Sequence, residues 1–136
     1  MSNTSYSYLA FIQPTSDADI EVLKKNLDTF YNNSNVEEKP CISLKNNKII
    51  INFSEKYKFY IYLSEKEYVI EEAEEFAQNG GLDWADKPFD PKKLKTCRKR
   101  FDIWGEDDYD MDYFNDSLYI IEQVEKFSDV IIFYLQ

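Results

Sequence analysis

Histidine is absent from all 136 residues. That removes the commonest general base, the commonest metal ligand and every Ser-His or Cys-His nucleophile pair. Glycine is scarce too, at three residues, and none forms a phosphate-cradling loop or a Gly-x-Ser-x-Gly elbow. Two cysteines, Cys41 and Cys97, are too few and too far apart for a disulfide framework, a Cys-x-x-Cys pair or a zinc motif. Both are expected to be reduced, buried and inert, one at a strand start and one on the inner side of a helix. The longest apolar runs, such as Val130 to Leu135, fall far short of the ~20 residues of a membrane span. Met1 to Ser7 is polar and has no basic residue ahead of an apolar stretch, so a secretory signal is not expected. These absences predict a soluble cytoplasmic protein with no cofactor, no metal and no enzymatic machinery.

What is present is charge of one sign and aromatic rings. Asp and Glu number 26 against 16 Lys and Arg, a formal charge of −10, which repels phosphate backbones and anionic lipid heads and so disfavours direct nucleic-acid or membrane binding. Aromatic residues reach 17%, with 11 Tyr, 10 Phe and 2 Trp, enough apolar bulk for one folded domain spanning residues 1–136 rather than a disordered acidic tail. Richness in Asn, Lys, Ile and Tyr suits an AT-rich bacterial or phage genome.

Apolar periodicity predicts the elements. Tyr6 to Ile12 reads as a strand with both sides apolar. A helix capped by Ser16 comes next, over about 17–32, its stripe carried by Ile20, Leu23, Leu27, Phe30 and Tyr31. Cys41 to Lys45, Lys48 to Ser54 and Tyr57 to Leu63 form a meander whose first turn, Asn46-Asn47, tolerates positive φ. Alternation places Ile42, Leu44, Ile49, Ile51, Phe53, Phe59, Ile61 and Leu63 on its buried face, and Ser43, Lys45, Lys48, Asn52, Lys58, Tyr60 and Tyr62 on the other. Ser64 and Glu67 read as a capping box for a helix with Val69, Ala73, Phe76 and Ala77 inward, ending at Gly80-Gly81. Asp90-Pro91 starts a third helix with Leu94, Cys97 and Phe101 inward. Asn115 or Asp116 caps a fourth, with Leu118, Ile121, Val124 and Phe127 inward, and Val130 to Leu135 is the final strand. The order β-α-β-β-β-α-α-α-β predicts an α+β fold. Its antiparallel sheet of about five strands has helices mainly on one face, and a ferredoxin-like core with additions is the expected topology.

Seven acids, Asp102, Glu106, Asp107, Asp108, Asp110, Asp112 and Asp116, occur in one segment without an intervening Lys or Arg. Asp108, Asp110 and Asp112 match the first three ligand positions of a calcium loop, yet Tyr113 stands where its glycine belongs and Tyr119 where its bidentate Glu belongs, which excludes an EF-hand. Two readings remain: a solvated acidic loop, or an anionic patch with Trp104, Tyr109, Tyr113 and Phe114 supplying contact area to a basic protein partner. Six basic residues among Lys92 to Arg100 precede the acids, and an intramolecular clasp onto Glu106–Asp112 is expected.

A compact acidic, tyrosine-rich α+β domain without catalytic residues and with a strand at its C-terminal end resembles the small bacterial immunity proteins that neutralise polymorphic or contact-dependent toxins. The resemblance implies a toxin-inhibiting protein–protein interaction, the toxin being in many cases a basic nuclease. The expected contact residues are Trp104, Asp107, Asp108, Tyr109, Asp110, Asp112 and Tyr113, with the Glu67, Glu71, Glu74 and Glu75 helix face second. Trp104 has a rival place in the core, under a Lys92–Arg100 helix. The functional alternatives are a phage-encoded nuclease inhibitor acting as a nucleic-acid mimic, a small-molecule-binding domain with Tyr60 and Tyr62 in its pocket, and an adaptor or homodimer using the sheet face.

Overall fold

The computed structural model describes residues 5–36, 39–79, 85 and 87–135. The elements are β1 (Ser7–Ile12), α1 (Ile20–Asn32), β2 (Cys41–Lys45), β3 (Lys48–Asn52), β4 (Lys58–Ser64), α2 (Glu67–Asn79), α3 (Pro91–Leu94), β5 (Lys99–Gly105), α4 (Phe114–Glu125) and β6 (Val130–Leu135). The strands form one antiparallel sheet in the order β2-β3-β4-β5-β1-β6. Within it, β1-α1-β4-β5-α4-β6 has the split β-α-β connectivity of a ferredoxin-like core. The β2–β3 hairpin is added after α1, and α2 with α3 are added between β4 and β5.

The meander is dictated by local sequence. Asn46 and Asn47 both adopt left-handed backbone, φ 52° and 63°, the conformation a two-residue hairpin turn requires. Its register then sets Ile42 against Ile51, Ile51 against Phe59 and Ile61 against Ile103. The same face continues through Tyr8, Ala10 and Ile132, and α1 and α4 close over it with Ile20, Leu23, Leu27, Ile120, Ile121 and Val124. Burial of each such side chain contributes ~1.5–3 kcal/mol.

The other face is covered over one half. Leu9, Phe11, Ile131 and Phe133 pack beneath Val69 and Ala73 of α2, Leu94 of α3 and Cys97. The helices thus divide two and two between the faces instead of gathering on one.

Several local expectations are corrected. Helix α3 is a single turn, with Asp90 accepting from the Lys92 N–H, and the chain then extends into β5. The three-and-four spacing of Leu94, Cys97 and Phe101 mimics a helix, but Phe101 and Ile103 alternate with Asp102 and Trp104 as a central strand demands. At α1 the cap is Asp19, whose Oδ1 accepts from Glu21 and Val22 N–H, while Ser16 Oγ bonds the Ser128 carbonyl. Ser64 ends β4 and donates to Tyr68 Oη at 2.6 Å rather than capping through a box with Glu67. Helix α4 begins after Tyr113 with no side-chain cap; its buried stripe is Ser117, Ile120, Ile121, Gln123 and Val124, and Leu118 is 39% exposed. Gly80-Gly81, the expected end of α2, lies outside the described residues.

Candidate functional site

Strand β5 delivers the chain to the acidic segment at Gly105, a position with no room for a side chain. A Cβ there would collide with Tyr57 Oη and sit 2.8 Å from the Phe59 ring. Glu106 then fastens the segment to β4: its N–H donates to the Lys58 carbonyl at 3.2 Å and its Oε1 accepts the Lys58 N–H at 2.8 Å.

Asp108 organises the loop from Tyr109 to Tyr113. It is 5% exposed, and its carboxylate accepts the N–H groups of Asp112 and Tyr113 at 3.0 and 2.9 Å and the Tyr6 hydroxyl at 2.6 Å. Burial, and next the bond to Asp108, drive the Tyr6 phenol well above its ordinary value. With Asp108 tied inward, Met111 takes left-handed backbone at φ 58° and is 57% exposed. Tyr109 is 76% exposed, its hydroxyl 3.3 Å from Asp107.

The expected contact residues therefore separate. Asp107, Tyr109, Asp110 and Asp112 are exposed. Asp108 is corrected to a structural residue, because both its oxygens are engaged within the loop. Tyr113 is half-buried: its ring stacks on Tyr57 at 4.1 Å and 5°, and lies 5.1 Å from Phe53. Trp104 is neither in the loop nor under a basic helix. It stands half-buried on the outward side of β5, stacked on Tyr60 at 5.2 Å. Glu67, Glu71, Glu74 and Glu75 are exposed on α2, across the sheet from α4, so the structure does not join them to the loop.

The expected clasp between Lys92–Arg100 and Glu106–Asp112 is not formed. Arg100, 4% exposed, bonds Asp102 beside it and Glu72 of α2 at 2.9 Å, with its guanidinium over the Phe11 and Tyr68 rings; Lys99 pairs with Glu65. Burial would lower the Arg100 pKa, and the two carboxylates more than offset this. Cys41 is exposed, contrary to expectation, since it lies on the edge strand β2; Cys97 is buried and its thiol is pushed up to about 12 by desolvation.

Sequence reasoning missed Met111, Leu118 and Tyr119 as surface residues. Among the described residues, the exposed large apolar side chains are Val22, Val36, Tyr109, Met111, Phe114, Leu118 and Tyr119. Five of these seven fall in one eleven-residue stretch. Beside them a groove of about 340 Å³ runs between Tyr6, Tyr8, Met111, Phe114, Leu118 and Tyr134. The signal is obscured in the sequence because Leu118 fits a helical stripe as well as Ser117 does. Under the strip, Asp116 accepts the Tyr31 hydroxyl at 2.7 Å, and burial raises its pKa despite that bond, with the Asp108 charge adding to the rise.

A second cleft, about 350 Å³, lies beside Gln13, Phe89, Glu125, Phe127 and Ile132, away from Tyr60 and Tyr62. Among the described residues no group of three or more Cys, Asp or Glu is placed to hold a metal ion, and no helix is long and apolar enough to cross a membrane. No protein-family model, no curated protein and no solved structure matches this chain.

Proposed function

We propose that this chain is a protein-binding inhibitor of the immunity-protein kind, which neutralises a basic bacterial toxin, a nuclease above all, through the strip from Asp107 to Tyr119. The observation that carries this reading is the concentration of exposed apolar side chains on that strip, interleaved with Asp107, Asp110 and Asp112. Met111, Phe114 and Leu118 line one groove, and an apolar patch of that kind rimmed by one charge suits a partner surface. Rings and Met supply contact area, the groove beside Met111 and Phe114 accepts a partner's apolar side chain, and the carboxylates steer a basic surface toward the strip. No catalysis is assigned to the strip. Asp108 and Tyr113 serve it from beneath by holding the loop in shape.

The test is co-expression with candidate basic nuclease toxin domains, followed by binding kinetics with the one that is neutralised. The intact chain is expected to restore growth. Replacing Asp107, Asp110 and Asp112 with Asn should slow association and flatten its salt dependence, because steering is what a Debye length of ~8 Å screens. Tyr109→Ala or Met111→Ala should instead speed dissociation, by a factor corresponding to ~2 kcal/mol for a central anchor. Unchanged association by the Asn variant at low salt would reduce the strip to a solvated face.

A further inference from the structure

We infer that the open half of the sheet, built on Lys48, Tyr60, Tyr62 and Trp104, is a docking surface for single-stranded nucleic acid, independent of the acidic strip. The chain's charge of −10 is an average that conceals sorting. The antiparallel register sets Ser43, Ile50, Tyr60 and Trp104 in one outward row and Lys45, Lys48, Tyr62 and Asp102 in the next. Lys58 stands outward in the row beyond, paired with Asn52. Helices α2 and α3 pack on β1 and β6 and, through Glu72 and Tyr68, reach Arg100 and Asp102 of β5, while the apolar cluster they close holds no residue of these rows.

The rows pair cations with rings. The Lys48 ammonium lies 5.1 Å from the Tyr60 ring centre and 5.3 Å from that of Trp104, and Lys66 lies 5.9 Å from Tyr62. Tyr60 and Trp104 hold each other at 23° between planes, so the aromatic wall is already ordered. Asp102 and Glu106 border it, and Glu65 and Glu67 flank Lys66 in the chain, Glu65 being paired with Lys99. Asp102 is engaged by Arg100 and Tyr68, and Glu106 by the Lys58 N–H. A ligand in contact therefore meets Lys45, Lys48, Lys58 and Lys66 ahead of the distant acids, which ~8 Å screening attenuates. Lysines beside half-buried rings match a phosphate chain bearing unpaired bases: cations take the backbone and rings take the base faces. An acidic peptide would use the lysines and leave the rings unused.

The test is fluorescence anisotropy of a labelled oligothymidylate with the full chain. Saturable binding at about 50 mM salt is expected, weakening about 50-fold by about 200 mM, since four lysine contacts contribute a slope of about 0.7 each on a single strand. Lys48→Gln should lower that slope by about 0.7. Tyr60→Ala should weaken binding about 5- to 150-fold, the range for losing one stacked base. Glu21→Gln, on α1 at the opposite face, should bind as the parent does, and thermal unfolding of each variant controls for folding. The proposal is overturned by absence of saturable binding at low salt, by insensitivity to Tyr60→Ala, by polyglutamate displacing the oligomer as well as unlabelled oligomer does, or by sedimentation showing a dimer that Tyr60→Ala dissociates. None of these outcomes touches the toxin-binding test, which reads a different surface.

Discussion

The two halves of one sheet face, β1–β6 with the Arg100 end of β5 and β2–β3–β4 with its Trp104 end, share the same pleat and meet opposite fates. In the first, Phe11 and Phe133 lie edge-on to each other at 5.7 Å, Phe76 and Phe89 close on Phe133 at 5.0 and 5.3 Å, and α2, α3 and the Phe89 segment pack over them. In the second, the rings are tyrosine and tryptophan, each half-buried, with lysine ammonium groups over them. A hydroxyl or indole N–H on the rim keeps its water, whereas a phenyl ring has nothing to lose by full burial. Residue choice along each row thus anticipates which half a helix will cover.

The covered half is probed most severely by Phe133→Ala. It opens a cavity among three other rings and should cost ~3–5 kcal/mol in denaturant unfolding. A loss under about 1 kcal/mol, the scale of an ordinary surface change, would mean that this half is loosely packed. Next is Arg100→Ala at the boundary between the halves. It frees Asp102 and Glu72 together and should cost about 2 kcal/mol, below the usual figure for a broken buried pair because the Glu72 side chain is 37% exposed. Proteolysis within α2 should rise with it if Arg100 is what holds that helix to the sheet.

A third, smaller effect comes from the opposite face and depends on pH. Asp116 has its pKa raised in the folded chain, chiefly by burial. It binds its proton more tightly folded than unfolded, so its contribution to stability is greatest in acid and falls away as pH rises through the folded value. Asp116→Asn, which can still accept from Tyr31, should unfold at an equal or higher temperature than the parent at pH 7, and the difference should vanish below the ordinary carboxylate range. A parent advantage at pH 7 would show that the charge itself is needed. The smallest effect is Tyr62→Ser in the open half, expected within ~0.5 kcal/mol of the parent.

Much of this architecture is legible in local pattern. Asn46-Asn47 declares its own turn, alternation through Ile49, Ile51, Phe59 and Ile61 declares the buried side, and unbroken apolar runs mark β1 and β6 as strands. Strand β5 is hidden, because a one-turn helix at Pro91–Leu94 followed by Cys97 and Phe101 reproduces helical spacing. Misplacing β5 misplaces Trp104 with it. The candidate site is half legible. Its composition of acids and rings is plain, but the inward turn of Asp108 depends on Tyr6, a partner 102 positions away that no local rule identifies.

The place of β1 between β5 and β6 also bears on synthesis. The first strand is complete at Ile12, and its earliest partner begins at Lys99. At ~5–20 residues per second, the ribosome leaves that apolar strand waiting ~4–17 s for a neighbour. Its sequence, Ser-Tyr-Leu-Ala-Phe-Ile, offers no charge to discourage strangers during that interval. Strand β1 is thus exposed to misassembly until β5 emerges to pair with it.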